Sequence, residues 1–362
     1  MRLKGVCYDV GAVMGFNWRP VFDPKIVHRE LEIIKNDLHC NAVSISALDV
    51  GRIATAAAAA LEQGLEVWLS PLLWDKSEDE TVAYLAKAAR PLEALRRQWP
   101  DKVVFSVAAE STLFMQGILE GKNIIQRLGN PKFRERIMAG EHNGPLNVFL
   151  ARAVAAVREE FKGRLTYHSL IWEKVDWSLF DYVGVDHYRA KDIEGKYVEM
   201  LKPLFDSGKP VVVTEFGNGT YQSDGKLAQV LLGGGDADFW SQFFHALPVV
   251  GRFVRPKVRV IHPRDEAWQA GKVVETLEIL DAASVDGAFV SQFESQINPF
   301  DEDPKYDLDT TSSSLVKYFE GGKHGTTYPD MPWEPKESFR AVADYYAKNF
   351  GPARSIESGN LD

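Results

Sequence analysis

Eight short runs of apolar, mostly β-branched residues are spaced along this chain, at residues 5–10, 42–46, 66–73, 103–110, 165–170, 182–187, 210–215 and 287–293. Runs of this length bounded by polar turns read as strands of a parallel sheet, buried on both faces. Stretches with helical spacing separate most of them. Residues 24–38 line up Ile26, Leu31, Ile34 and Leu38 behind Asp23-Pro24, a capping residue followed by proline at the first helical position. Further helices are predicted over residues 52–63, stopped by Gly64, over 78–99 with a break at Pro91, and over 146–161, 194–205, 264–282 and 336–350. Strand and helix patterns alternating along the whole length predict an α/β chain forming one (β/α)8 TIM barrel over residues 1–350. An open doubly wound sheet shares that periodicity. However, the first strand–helix turn lacks G-x-G-x-x-G, and no G-x-x-x-x-G-K-[ST] occurs.

Three connections are long, at residues 113–144, 220–260 and 296–335. Connections of this length in a compact domain are usually functional. The second holds three consecutive glycines and the aromatic set Phe239, Trp240, Phe243 and Phe244, expected to cover a pocket or a subunit interface. The polar residues 351–362 are expected to be a disordered tail.

A net charge of -9 with no basic stripe argues against a nucleic-acid partner and admits a cationic substrate. Nine tryptophans suit stacking on sugar rings, although the core is expected to take more than half. Cys7 and Cys40 form no C-x-x-C pair, so neither points to a zinc or redox site. The first residues, MRLKGVCYDVG, enter a strand directly, and no run reaches transmembrane length. These features predict a cytoplasmic protein with no membrane partner and a small imported substrate. No cofactor or resident metal is expected, and a homo-oligomer is left open.

Barrels place their chemistry at the carboxyl ends of the strands. The fourth run, VVFSVAAEST, and the seventh, PVVVTEFGNG, end at Glu110 and Glu215. Two carboxyl groups across a sugar can break a glycosidic bond. A separation of about 5 Å gives retention and about 6.5–9.5 Å gives inversion. One carboxyl must hold a proton while the other stays ionised. Other strand ends supply candidate sugar contacts: Tyr8 and Asp9 on the first, Trp172 as a platform on the fifth, and Asp186 and His187 on the sixth. Arg189 is placed to hold a carboxylate, of the substrate or of Asp186, and Phe293 with Glu294 to form the pocket floor. Glu173 is expected to face solvent. The acidic run Asp301, Asp303, Asp307 and Asp309 lacks the glycine and closing glutamate of an EF-hand and reads as a solvated loop. Each candidate has a purely structural reading too: Glu215 as an ion-pair partner, Glu110 beside a Ser111-Thr112 helix cap, Asp186 and His187 as satisfied buried groups.

VVVTEFGNG resembles the seventh-strand nucleophile motif of the retaining (β/α)8 glycoside hydrolases known as clan A. The resemblance implies Glu215 as nucleophile, Glu110 as acid/base, and Tyr188, in VGVDHYR, as the tyrosine supporting the nucleophile. Two departures stand out. The clan usually carries asparagine before the acid, where this chain has Ala109, and often tryptophan on strand eight, where it reads GAFVSQFES. They suggest a ring held differently, such as a furanose. Nearly the full length also resembles a little-described group called "abortive infection protein", through DLHCNAV, GLEVWLSP, VDWSLFDYVGVDHYR, TEFGNGTY, DLDTTSSSLVKYFE and HGTTYPDMPWEPKESFRAVADYY. That group name implies no mechanism.

The reading is therefore an exo-acting glycosidase, expected to be retaining, acting on a small oligosaccharide or glycoside. Two rivals remain. A metal-dependent sugar isomerase or epimerase would ring an ion with Glu110, His168, Asp186, His187 and Glu215. A non-catalytic barrel would bind carbohydrate or serve in defence.

Overall fold

The computed structural model describes residues 1–13, 15–222 and 255–348. Eight parallel strands close into a barrel in sequence order: β1 (Leu3–Asp9), β2 (Ala42–Ala47), β3 (Glu66–Pro71), β4 (Val103–Ala109), β5 (Arg164–Leu170), β6 (Val183–Asp186), β7 (Val211–Phe216) and β8 (Gly287–Val290). β1 pairs with both β2 and β8, which seals the ring. The surrounding helices are α1 (Pro24–Asn36), α2 (Val50–Glu62), α3 (Glu78–Gln98), α4 (Asn143–Glu160), α5 (Tyr197–Phe205), α6 (Glu266–Ala282) and α7 (Glu337–Lys348). Only a 3-10 turn, Trp177–Leu179, joins β5 to β6. The (β/α)8 barrel expected from the alternating pattern is the fold observed. No helix among the described residues is long and apolar enough to cross a membrane.

Local signals set the helix starts. The Asp23 side chain caps the Lys25 N–H at 2.8 Å with Pro24 behind it. Ser77 and Glu80 form a reciprocal capping box at the start of α3. The break expected at Pro91 does not occur, and α3 runs through it. Pro91 is exposed, as is Lys87 one turn earlier, so the carbonyl that proline leaves unbonded can turn to water.

The barrel interior is a packed core. Leu3, Cys7, Ala42, Trp68, Val104, Tyr182, Val212 and Phe289 bury together. The Trp68 ring lies 5.1 Å from Tyr182 and 5.3 Å from Phe289. Room for the Phe289 ring comes from Gly5, where a Cβ would lie 2.3 Å from it; at Gly184 a Cβ would lie 2.5 Å from the Tyr167 carbonyl oxygen, so the neighbouring strand approaches closely there.

Two strands depart from regular register near their carboxyl ends. β4 carries one extra residue relative to β5 between Ser106 and Ala109. β7 carries one extra relative to β6 and to β8, around Thr214 and Glu215. Bulges of this kind re-aim side chains beside functional sites.

The long connections hold more structure than their polarity suggests. Residues after β4 form three short helices, Ser111–Phe114, Ile124–Leu128 and Phe133–Ala139. Beneath them the fully buried Arg127 donates to the Leu113 carbonyl at 2.6 Å and the Gly121 carbonyl at 3.0 Å, and pairs with Asp75. After β8, Val316–Tyr318 and Trp333–Pro335 form an antiparallel hairpin. The acidic run in this connection is not simply solvated. Asp307 and Asp309 are buried, pairing with Arg264 at 3.0 and 2.7 Å, and Asp309 also meets Lys336 at 2.9 Å. A tight loop folded over a cation, rather than free solvation, explains their spacing. The aromatic set at residues 239–244 and the tail at 351–362 lie outside the described residues.

Gly184→Ala puts a methyl group against backbone that cannot give way. It is expected to cost about 1–3 kcal/mol, the usual range for overpacking a dense core. A lower urea midpoint with unchanged slope in equilibrium unfolding checks this.

Candidate active site

The bulges in β4 and β7 deliver the two glutamates to the carboxyl-terminal mouth of the barrel. Glu110 sits just past β4 in the left-handed region, φ 44 and ψ 40. Such a conformation costs a non-glycine residue about 1–3 kcal/mol. It is held by the Glu110 N–H, which donates to the His168 carbonyl at 2.8 Å. The Leu113 and Phe114 N–H groups also return to the Glu110 carbonyl, at 2.9 and 3.1 Å. The side chain is 6 % exposed. Among the described residues no donor bonds its carboxylate. Glu215, on the β7 bulge, accepts from the Tyr188 hydroxyl at 3.0 Å.

Asp186 ends β6 opposite Glu215 in the register and accepts from the Thr214 hydroxyl at 2.6 Å. Asp9 ends β1, and the Gln292 amide, oriented to suit its neighbours, donates to Asp9 Oδ2 at 2.6 Å. The four groups sense one another. Burial and the nearby Glu215 and Glu173 carboxylates push Glu110 well above the usual carboxylate range. Burial, Glu215 and Glu110 do the same to Asp186. Burial and Glu215 carry Asp9 up to about 8, against a downward pull from Arg19. Glu215 is also raised by burial, but the Tyr188 hydrogen bond favours its charged form. The arrangement fits one carboxyl that holds its proton and one poised to ionise.

Several expected contacts lie elsewhere. Tyr8 is buried behind the barrel wall, donating to Glu30 of α1 with Arg19 over its ring. Strand alternation explains this: Asp9 and Cys7 turn inward, so Tyr8 must turn out. The same alternation sends His187 outward between Asp186 and Tyr188. Its ring stacks on Tyr197 at 4.0 Å and its Nε2 lies 2.9 Å from the Tyr197 carbonyl. Arg189 reaches neither Asp186 nor the pocket; it pairs with Glu194 at 2.5 Å and Glu275 of α6 at 2.9 Å. Phe293 is not a pocket floor, because it packs edge-on to Trp333 at 5.3 Å within the layer between barrel and α7. Trp172 is partly exposed at the rim past β5, edge-on to His142 at 5.1 Å. Glu294 is buried and bound to Arg19 at 2.5 Å.

Of the residues the metal reading would use, the two histidines do not join the carboxylates. His168 lies in the barrel interior near Trp68, lowered to about 3 by burial, and His187 faces the helix layer, lowered to about 4 by burial. Among the described residues no three His, Cys, Asp or Glu side chains could hold a metal ion together.

Three groups at the site were not expected there from the sequence. Glu173, expected in solvent, is buried. It accepts from the Tyr167 hydroxyl at 2.9 Å, the Leu170 N–H at 2.9 Å and the Thr112 N–H at 3.2 Å, and burial raises it to about 7. It fixes the backbone just after Glu110 and adds to the charge that Glu110 senses. Arg19, in the irregular stretch after β1, is buried between Glu30 at 3.0 Å and Glu294, and donates to the Asp9 carbonyl at 3.2 Å. Gln292 lies in the strand-eight segment but carried no motif. An arginine and a glutamine in polar segments give no pattern, and the turn that buries Glu173 is set only by β5 ending at Leu170.

No protein-family model and no curated protein sequence matches the chain. Its fold is similar to solved structures of sugar-cleaving enzymes. A GH113 β-1,4-mannanase aligns over 95 % of this chain and 98 % of its own, at 14 % identity and TM-score 0.55. A β-glycosidase aligns over 98 % and 97 %, at 13 % identity and TM-score 0.52. A Bacteroides uniformis β-glucuronidase covalently bound to cyclophellitol-6-carboxylate aziridine aligns over 96 % of this chain and 35 % of its own, at 14 % identity and TM-score 0.55. At these identities the likeness concerns the fold.

Stability should fall as pH rises. Asp9 and Glu173 ionise near 3.9 and 4.3 in an unfolded chain but near 8 and 7 in the fold. Between these values the folded state binds more protons, so their contribution is complete below about pH 4 and is lost as pH rises through 7 to 8. Thermal melts are expected to show Tm lower by several degrees at pH 8 than at pH 5, and Asp9→Asn should shrink that difference.

Proposed function

We propose that this chain is a retaining, exo-acting glycoside hydrolase. Glu110 protonates the leaving oxygen while Glu215 attacks the anomeric carbon, forming a glycosyl-enzyme. Water then enters with Glu110 as base and releases the sugar. One observation carries this reading: Glu110 and Glu215 share one barrel mouth within electrostatic reach, in unequal environments. Burial without a hydrogen-bond donor among the described residues suits Glu110 to the acid, and the Tyr188 hydroxyl suits Glu215 to the ionised nucleophile. The glycosidases named among the fold neighbours support the choice of reaction class.

The substrate is a small oligosaccharide or glycoside, and the proposed setting is the cytoplasm. Long connections after β4, β7 and β8 favour a pocket over an open cleft, hence removal of terminal sugars. The metal-dependent isomerase is disfavoured by the separation of His168 and His187 from the carboxylates.

Nitrophenyl pyranosides and furanosides of both anomers, with and without EDTA, test the proposal. Wild type should cleave at least one with chelator present, and NMR should show the anomer retained in the first-formed product. Glu110→Ala and Glu215→Ala should lose nearly all activity, with azide restoring Glu215→Ala to give a glycosyl azide of inverted configuration. A first product of inverted anomer would replace nucleophilic attack with base-activated water.

Tyr188→Phe should lower kcat/KM roughly 10- to 100-fold, the worth of one hydrogen bond to a charged group. It should also move the acidic limb of the pH profile upward, because the hydroxyl it removes lowers the Glu215 pKa.

A further inference from the structure

We propose that the sugar bound between Glu110 and Glu215 carries a free amino group, with Asp9 as partner of its ammonium. The inference rests on the glycosidase reading and adds the substrate class. Four carboxyl groups close around one mouth, from the ends of β1, β4, β6 and β7. The described cations nearby are committed elsewhere. Arg19 lies between Glu30 and Glu294 and bonds the Asp9 carbonyl, not its carboxylate. Arg52 donates to the carbonyls of Val10 at 3.2 Å and Arg19 at 2.9 Å. Arg189 turns to Glu194 and Glu275.

Among the described residues, the donors that reach these carboxylates are neutral: Tyr188, Thr214 and the Gln292 amide. Glu110 is more than nine-tenths buried, lies within electrostatic reach of Glu215 and Asp186, and receives no hydrogen bond from any described residue. Such a buried carboxyl needs either a proton or a cationic partner. Asp9 is the one best placed to receive a ligand. Its side chain is partly exposed, whereas Asp186 is 3 % exposed and held by Thr214. An ammonium on the sugar gives Asp9 a charge-assisted partner and lowers the potential that Glu110, Asp186 and Glu215 impose on one another. A uronate carboxylate in the same place adds one more like charge to the group.

Calorimetry at pH 7 tests this without requiring turnover. The probes are methyl 2-amino-2-deoxy and 6-amino-6-deoxy glycosides of gluco and manno configuration, their neutral parents, the N-acetyl derivatives and methyl glucuronide. At least one amino glycoside is expected to bind about tenfold or more tighter than its parent, a margin of about 1.4 kcal/mol. Its binding should release protons, seen as heats that depend on the buffer. N-acetylation should remove the advantage, and the glucuronide should bind weakest. Asp9→Asn, shown folded by its melt, should narrow the amine-to-parent ratio more than it weakens the parent. Equal or tighter binding of the neutral parents or the glucuronide overturns the inference, as does binding of none of the probes. The matching nitrophenyl glycosides separate the two claims. Preference for amines without cleavage of any glycoside sinks the hydrolase and leaves the charge selection standing. Cleavage that favours neutral sugars does the reverse.

Discussion

Burying several carboxyl groups at one end of a closed barrel is the constraint on which this structure turns. Each group loses hydration, and each adds to the cost of charging the others. The mouth resolves the conflict unequally. Glu215 receives a phenol, Asp186 a threonine hydroxyl and Asp9 an amide, while Glu110 receives no donor from the described residues. Protons therefore distribute unevenly over chemically similar groups, which is the condition that acid/base chemistry with two glutamates requires.

The backbone pays for that arrangement locally. A regular β7 would alternate its side chains in and out, and with Val212 and Thr214 inward Glu215 would face the helices. The extra residue in the β7 register turns it to the mouth. On the opposite side the β4 bulge and the left-handed Glu110 do the corresponding work, fixed by the His168 carbonyl. Buried Glu173 braces the same place from β5, because the N–H of Thr112 and the hydroxyl of Tyr167 both close on it.

The rim is tied down by ion pairs more than by regular structure. Arg19 joins the segment after β1 to α1 and to Glu294 beyond β8. Arg264 and the fully buried Lys336 clamp the connection after β8 onto Asp307 and Asp309, and Lys336 reaches Thr220 beyond β7 at 3.1 Å. Pairs as enclosed as these add less to net stability than their geometry suggests, since each charge is desolvated. Losing one partner would strand the other, so they specify where the loops lie.

The sequence by itself determined the barrel, because burial on both faces forces each parallel strand to be a continuous apolar run, and eight such runs are legible. It also marked the strand-end carboxylates Glu110, Glu215, Asp9 and Asp186, since a charge ending an apolar run is conspicuous. It could not determine which way neighbouring side chains point. Tyr8, His187, Arg189 and Phe293 sit one position from pocket residues or just beyond a strand, and a shift of one residue moves a side chain through the wall. Only the tertiary structure decided that they serve the helix layer, that Glu173 is buried, and that Arg19 and Gln292 stand beside Asp9. Those outcomes depend on register, bulges and long-range ion pairs, which join residues far apart in the chain and leave no local pattern.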